Sequence, residues 1–467
     1  MKKTLIALLS VMVVLAFTAS AFALHAVTSG EYTPSLVKAG KSQIELGGQI
    51  RIRGNFSTNT DFNDKVNDTN QKYDQRVRLS TKANVSDKTM AVVELETGNG
   101  STSTYNWGTA TESKRDPLYI RQAYISHQFG TVGGMKAGHM LLALGNRLFF
   151  DHSNYGDDAL LGWLAVGPGE ITLLVIKVDE NGSPDYNGKI QVADDTDAYV
   201  LALEMPINDV GVSADVTYLR YRDKSDWDKG AYLANLGVRA NADLKVVKIK
   251  ADIEVQSGKA EKATPEALAD GFPSSYTFSG YAGMLGVEGI AGPVTIKGGA
   301  GYGTGDKWVK SDKVDKKNEG FQTLLTDNQY TTFIYDYSVM GASGGKYQGL
   351  NNTMYINVGA AVKPMPDLKV SADVYYLSAA QERALNGARK DAAVPCMDTT
   401  DTCKKSKKLG YEVDAKIEYQ LASNLVYYIE AGYLMAGDAY DRWDAGKGKN
   451  VDADDPYRVR HGLILEF

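Results

Sequence analysis

Hydrophobic and polar residues alternate one by one along most of this chain. In 43–56, Ile44, Leu46, Gly48, Ile50, Ile52 and Phe56 fall on one side and Glu45, Gln49, Arg51 and Arg53 on the other. In 73–85, Val77, Leu79, Ala83 and Val85 oppose Asp74, Arg76, Arg78, Ser80 and Lys82. Further on, Tyr411, Val413, Ala415, Ile417 and Tyr419 oppose Glu412, Asp414, Lys416, Glu418 and Gln420. The last stretch, 457–467, sets Tyr457, Val459, His461, Leu463, Leu465 and Phe467 against Arg458, Arg460, Gly462, Ile464 and Glu466. A period of two is the strand period, so each stretch predicts a β-strand with one oily and one charged face.

The connections between these stretches alternate in length. Short turns are expected near 86–88, 130–134, 167–170, 206–209, 241–243, 291–293, 364–367 and 421–424. Long polar loops are expected near 98–116, 146–158, 180–196, 223–230, 257–276, 304–350, 379–408 and 436–455. Short turns at one end and long loops at the other are the plan of an up-and-down transmembrane barrel. The pattern predicts an all-β, antiparallel transmembrane β-barrel of about 18 strands, with about 16 as the runner-up count. The segment 331–340 reads as one possible extra strand, and 135–166 divides in more than one way. Tyrosines near the ends of the oily rows, such as Tyr411 with Tyr419 and Tyr427 with Tyr433, suit the two lipid headgroup boundaries.

Alternating faces would also suit a soluble sandwich with its oily side inward, so composition and targeting matter. Lys2 and Lys3, the apolar run 5–17 and Ala21-Phe22-Ala23 predict a secretory signal peptide over 1–23. Residues 24–42 show no clear period and are expected to form a periplasmic lead-in, with the barrel over 43–467. Removing the leader takes away two lysines and no acid, making an already acidic chain (net −6) more so, which argues against a nucleic-acid partner. Mean hydropathy is −0.29, a value that alternating barrels reach because lipid-facing and lumen-facing residues average out. The stretch 457–467, alternating and ending on Phe467, resembles the closing strand of Gram-negative outer-membrane β-barrels, which implies that Phe467 is read by the barrel assembly machinery. Leader, loop asymmetry and Phe467 together favour the outer membrane over a soluble fold.

A barrel of this size encloses water. If the last strand closes on the first, Arg51, Arg53, Arg76, Arg78, Arg458 and Arg460 point into the lumen from three neighbouring strands, and counting back from the loops places them at similar heights. Glu94, Glu96, Glu412, Asp414, Glu418 and Glu430 flank them. Such rows either filter solutes by charge or form an ion-pair ladder that stiffens the wall. The longest loop, 304–350, carries Trp308, Phe321, Leu324, Leu325, Phe333, Ile334, Tyr335 and Tyr337, more apolar groups than a solvated loop needs, and is expected to fold into the mouth. Cys396 and Cys403 in CMDTTDTC are expected to form a disulfide, since an exported chain meets oxidising conditions and no His lies near for a metal site. Gly299, Gly301, Gly303 and Gly305 fall at strand period, so they are no dinucleotide fingerprint. No haem-attachment, metal or cofactor motif is found, and the five histidines lack nearby Ser and Asp partners in sequence. An enzyme is not expected.

The mature chain resembles Gram-negative outer-membrane porins. Within 121–160, the runs RQAYISHQFG, MKAGHMLLALGNRLFFDH and GDDAL are similar to a stretch of porins related to the alginate-export barrels. The resemblance implies an outer-membrane channel for passive diffusion of small hydrophilic solutes and ions, often assembled as a homotrimer. The alternatives are a dedicated exporter, or a barrel sleeve for a periplasmic partner such as a multihaem cytochrome.

Overall fold

An alternating strand has unpaired backbone groups along both edges, and only a closed sheet satisfies them all in lipid. The computed structural model forms such a sheet. It describes residues 35–39, 42–98, 105–107, 118–179, 195–222, 230–261, 274–306, 316–325, 332–335, 337–339, 348–383, 405–444, 447 and 449–467. The wall is a closed antiparallel barrel of 18 strands. These are β1 (Ser42–Thr58), β2 (Asn70–Ser86), β3 (Thr89–Thr97), β4 (Leu118–Gln128), β5 (Gly133–Met140) and β6 (Asp157–Val166). There follow β7 (Gly169–Asp179), β8 (Thr196–Ile207), β9 (Val210–Tyr221), β10 (Ala231–Asp243), β11 (Val247–Glu261) and β12 (Tyr281–Ala291). The remainder are β13 (Val294–Gly303), β14 (Thr353–Met365), β15 (Leu368–Arg383), β16 (Ser406–Ala422), β17 (Leu425–Ala436) and β18 (Tyr457–Glu466).

Closure joins β1 to β18, from Gln49 opposite Glu466 to Thr58 opposite Tyr457. Phe467 continues the ladder by exchanging both backbone hydrogen bonds with Gly48 (2.7 and 3.0 Å), and its ring lies where a side chain at position 48 would stand. Below β18 the same edge of β1 is covered by a short strand, Ser35–Ala39, which folds back from Ser35 opposite Leu46 to Ala39 opposite Ser42. Part of the stretch without a clear period is therefore sheet.

The two faces are sorted as lipid and water require. Val255 is 50% exposed on the outside, whereas its neighbours Glu254 and Gln256 are buried inside. Leu173, Leu201, Val216, Leu236, Leu285, Val374 and Val413 share the outer face, while Gln49, Asp74, Arg76, Glu94, Asn235, Arg239, Glu412 and Arg460 are buried within. A soluble sandwich has the reverse distribution. Exposed tyrosines ring the loop-side ends of the wall at positions 199, 218, 232, 281, 302, 411, 433 and 457. Tyr419 lies at the turn side.

Two chain segments fold inward. Residues 141–156, between β5 and β6, bury Leu142, Leu144, Leu148, Phe149 and Phe150 against Leu161, Leu174, Ile176, Val200, Leu219 and Leu233 of the wall. Full burial of such a side chain contributes roughly 1.5–3 kcal/mol, enough to hold a short loop inside. Gly145 approaches the Arg239 side chain so closely, at φ +52, that a β-carbon there would collide with it. The loop between β13 and β14 enters from the other side. Its Leu324–Leu325 pairs in parallel with Phe150–Asp151, linking the two inserted segments.

The fold departs from several sequence-based expectations. Residues 331–340 add no strand among the described positions, because the amides of 333–335 are taken by a wall side chain rather than by a neighbouring strand. The segment 135–166 divides into β5, the inserted stretch and β6. The turn expected at 241–243 lies at 244–246, since β10 and β11 stay paired through Asp243 opposite Lys248. The leader 1–23 and the pair Cys396 and Cys403 lie outside the described residues.

Candidate functional site

Register sets where the charges of the lumen meet. Arg458 lies opposite Ser57, Arg460 opposite Asn55, Arg53 opposite Asp74, and Arg51 opposite Arg76. Arg78 lies opposite Gln49 on one side and Glu96 on the other. The six arginines thus descend along β1 from position 57 to position 49, a slope rather than the expected single level. Residue counts from the loops ignore the stagger between tilted strands, and that stagger produces the slope.

Hydrogen bonds hold most of this arc rigid. Asp74 accepts from Arg53 Nε at 2.8 Å and from Asn55 at 2.6 Å. Arg460 donates to Glu430 and to Asn55, both at 2.8 Å, and Arg78 is paired with Glu96. Arg51 is the exception. Among the described residues its side chain has neither a hydrogen bond nor an ion pair, and the Nε atoms of Arg51 and of Arg76 are buried without hydrogen-bond partners. Two guanidinium groups directly across a strand pair repel each other. Arg76 is offset by Gln49, to which it donates, and by Glu96 at 4.0 Å; Arg51 has no comparable support.

The expected acids take different parts. Glu94 accepts from Arg121 at 3.0 and 3.1 Å and from Gln122 at 2.5 Å, and is fully buried. Arg121 and Gln122 both face inward because the pairing of β3 with β4 slips between Glu94 and Leu95, a bulge that re-aims a side chain. Arg121 also donates to the carbonyls of Ser153 (2.9 Å) and Asn154 (3.1 Å), tying the inserted stretch to the arc. Glu418 pairs with Lys416 (2.8 Å) and Lys369 (3.3 Å), not with the arginines. Glu412 and Asp414 form no ion pair with the arc either. Glu412 accepts the amides of Phe333 and Ile334 at 2.6 Å and of Tyr335 at 2.8 Å, and Asp414 accepts Phe333 at 3.1 Å. The loop's aromatic groups then cover the top of the arc. Arg458 lies 4.9 Å from the Phe333 ring centre and 4.4 Å from that of Tyr337, and Arg460 donates to the Tyr337 hydroxyl at 3.0 Å.

Halfway round the barrel the balance is reversed. Arg239 on β10 is surrounded by Asp215, Asp252 and Glu254, all nearly or fully buried. Asn146 of the inserted stretch donates its amide to Asp252 at 3.2 Å and so fixes that stretch to this wall. Alternation placed these carboxylates on one face, but only the fold shows three of them around one guanidinium.

Tyr337 belongs to the loop, outside the spanning strands. Burial alone would raise its phenol, yet Arg460, Arg458 and Arg53 outweigh that and bring it down to about 8. A group depressed in the folded state adds stability that is fully present above its ordinary value near 10 and is lost as pH falls through 8. The contact of the loop with the arc should therefore tighten between pH 8 and 10, while the added phenolate offsets one positive charge. Anion preference, measured as reversal potential in a salt gradient, is expected to fall as pH rises from 7 to 9. Tyr337→Phe should remove that step.

The family described as alginate export matches residues 198–453, more than half of the chain. OccK8 (OprE) of Pseudomonas aeruginosa is similar at 8% identity over 91% of this chain and 98% of that one, with a TM-score of 0.51, a likeness of fold alone. OccK11 (OpdR) of the same organism aligns at 11% identity over 91% and 96%, TM-score 0.48. OmpF of Salmonella typhi aligns at 12% over 93% and 100%, TM-score 0.45. No curated protein matches. The inside-out wall, the closed ring of strands and the family match together make this chain an outer-membrane β-barrel belonging to the alginate-export family.

Proposed function

We propose that the barrel is a water-filled channel for passive diffusion of small hydrophilic solutes and ions, with the arginine arc as its charge filter. The observation that carries this reading is Arg51, a lumen guanidinium facing Arg76 with no ligand of its own. A purely structural ladder would pair it, because a guanidinium whose Nε is shut off from water with no acceptor is costly. An anionic group of a passing solute would relieve both arginines. In planar bilayers the purified protein should give discrete ohmic steps, and Arg51→Gln should change the anion-to-cation permeability ratio by at least about twofold without weakening the barrel. Steps whose reversal potential is untouched by Arg51→Gln would reduce the arc to wall stiffening.

The family match favours a second reading, dedicated export of a solute delivered from the periplasm. Co-purification of a periplasmic partner with the barrel would support it over free diffusion. We also propose that Phe467 is the residue read during barrel assembly. Homotrimer formation is a further expectation, checked by the mass of the detergent-extracted protein.

A further inference from the structure

A cavity of about 180 Å³ lies where the two inserted segments meet the wall. It is lined by Phe149 of the first segment, Tyr221 of β9, Leu233 of β10, Phe278 of the short strand Ser275–Phe278, and Gln322, Thr323 and Leu324 of the second segment. Its floor is fixed by hydrogen bonds to the backbone of the second segment. Leu324 donates to the carbonyl of Phe149 at 2.8 Å, and Gln256 of β11 both receives the Gln322 amide and donates to the Gln322 carbonyl at 2.8 Å.

Three aromatic rings from three separate elements face this space, with two aliphatic side chains beside them. A dry cavity of about 150 Å³ lined by such groups is large enough for a benzene ring, whereas drug-sized ligands need several hundred. Polar capacity at the rim is small and specific. The Tyr221 hydroxyl has no hydrogen-bond partner among the described residues, leaving a donor. The Gln322 side-chain nitrogen donates to Gly320 (2.9 Å) and Asn318 (3.4 Å), while its oxygen accepts nothing. The Thr323 hydroxyl also lines the space, donating to the Gln348 carbonyl at 3.4 Å and keeping its own lone pairs. Few polar groups beside an aromatic box suit a ring carrying a single hydroxyl.

We propose that this cavity binds a monocyclic aromatic solute carrying one hydroxyl, seated between the two inserted segments. The ring would stack among Phe149, Tyr221 and Phe278, and the hydroxyl would donate to Gln322 while accepting from Tyr221. Because each inserted segment contributes to the box, occupancy would join them more firmly. The site is separate from the arginine arc, and binding can be read without any current.

The test uses the detergent-extracted full barrel and 4-fluorophenol, followed by fluorine NMR. Saturable line broadening, competed by unlabelled phenol, is expected. Leu233→Trp and Thr323→Trp each fill the space and should abolish it, with correct folding checked by heat-modifiable gel mobility. Tyr221→Phe should weaken binding about three- to tenfold, the loss of one hydrogen bond. Broadening that persists in either correctly folded tryptophan variant would mean partition into detergent and would overturn the proposal.

Discussion

Replacing Glu412 with alanine is expected to loosen the inserted loop and raise single-channel conductance about twofold or more, because the segment covering the arginine arc is then free to leave the lumen. Glu412 is fully buried on β16 and holds three successive loop amides. Hydrogen bonds to a charged group contribute about 1.5–3 kcal/mol each, and buried amides left without an acceptor cost a further 1–3 kcal/mol. The burial of Ile334, Tyr335 and Val339 and the contacts of 332–339 with Arg458 and Arg460 oppose release with energies of the same order, so the three amide bonds to Glu412 decide how firmly the loop is seated. The wall itself should persist, since its ladder is backbone to backbone. Glu412→Gln keeps one acceptor oxygen and should give an intermediate, noisier channel. Asp414→Asn, which touches only one amide at 3.1 Å, should do less. Unchanged conductance in Glu412→Ala would mean that the loop does not limit the path.

Val374→Arg is the second large effect. Val374 is on the outer face of β15, 48% exposed, opposite Val358 and Val413. An arginine at the bilayer midplane of a barrel costs about 2–4 kcal/mol. Ser371→Arg, three residues away on the inner face, meets the lumen and should cost far less. Urea unfolding of the two variants refolded into lipid vesicles would compare them. A larger loss for Ser371→Arg would reverse the assignment of the faces.

Most of the wall was legible because a period of two survives burial on only one side. Turn lengths gave the polarity of the barrel for the same reason, as short hairpins need only a few turn residues. The interior was harder to read. The first part of the inserted stretch reads as strand because its run of Leu141, Leu142, Ala143 and Leu144 is uniformly apolar, and a loop is expected only from 146. A signal for it did exist elsewhere. Leu173, Leu174, Val175 and Ile176 make β7 apolar on both faces, which a water-lined wall would not need and a covered one does. Arg121 was hidden by its bulge, which shifts the alternation by one residue. Glu412 and Glu418 share a face and a residue type, yet one holds a loop and the other a pair of lysines. Nothing in their sequence separates them, because the loop that makes the difference returns from more than seventy residues earlier.

Charged rows face water and oily rows face lipid. Single cysteines placed in the membrane-embedded protein at 371, 373, 416 and 418, and at 372, 374, 415 and 417, test this with one membrane-impermeant thiol reagent. Labelling of the first four and protection of the second four is the predicted result. Protection of the first set with labelling of the second would contradict it.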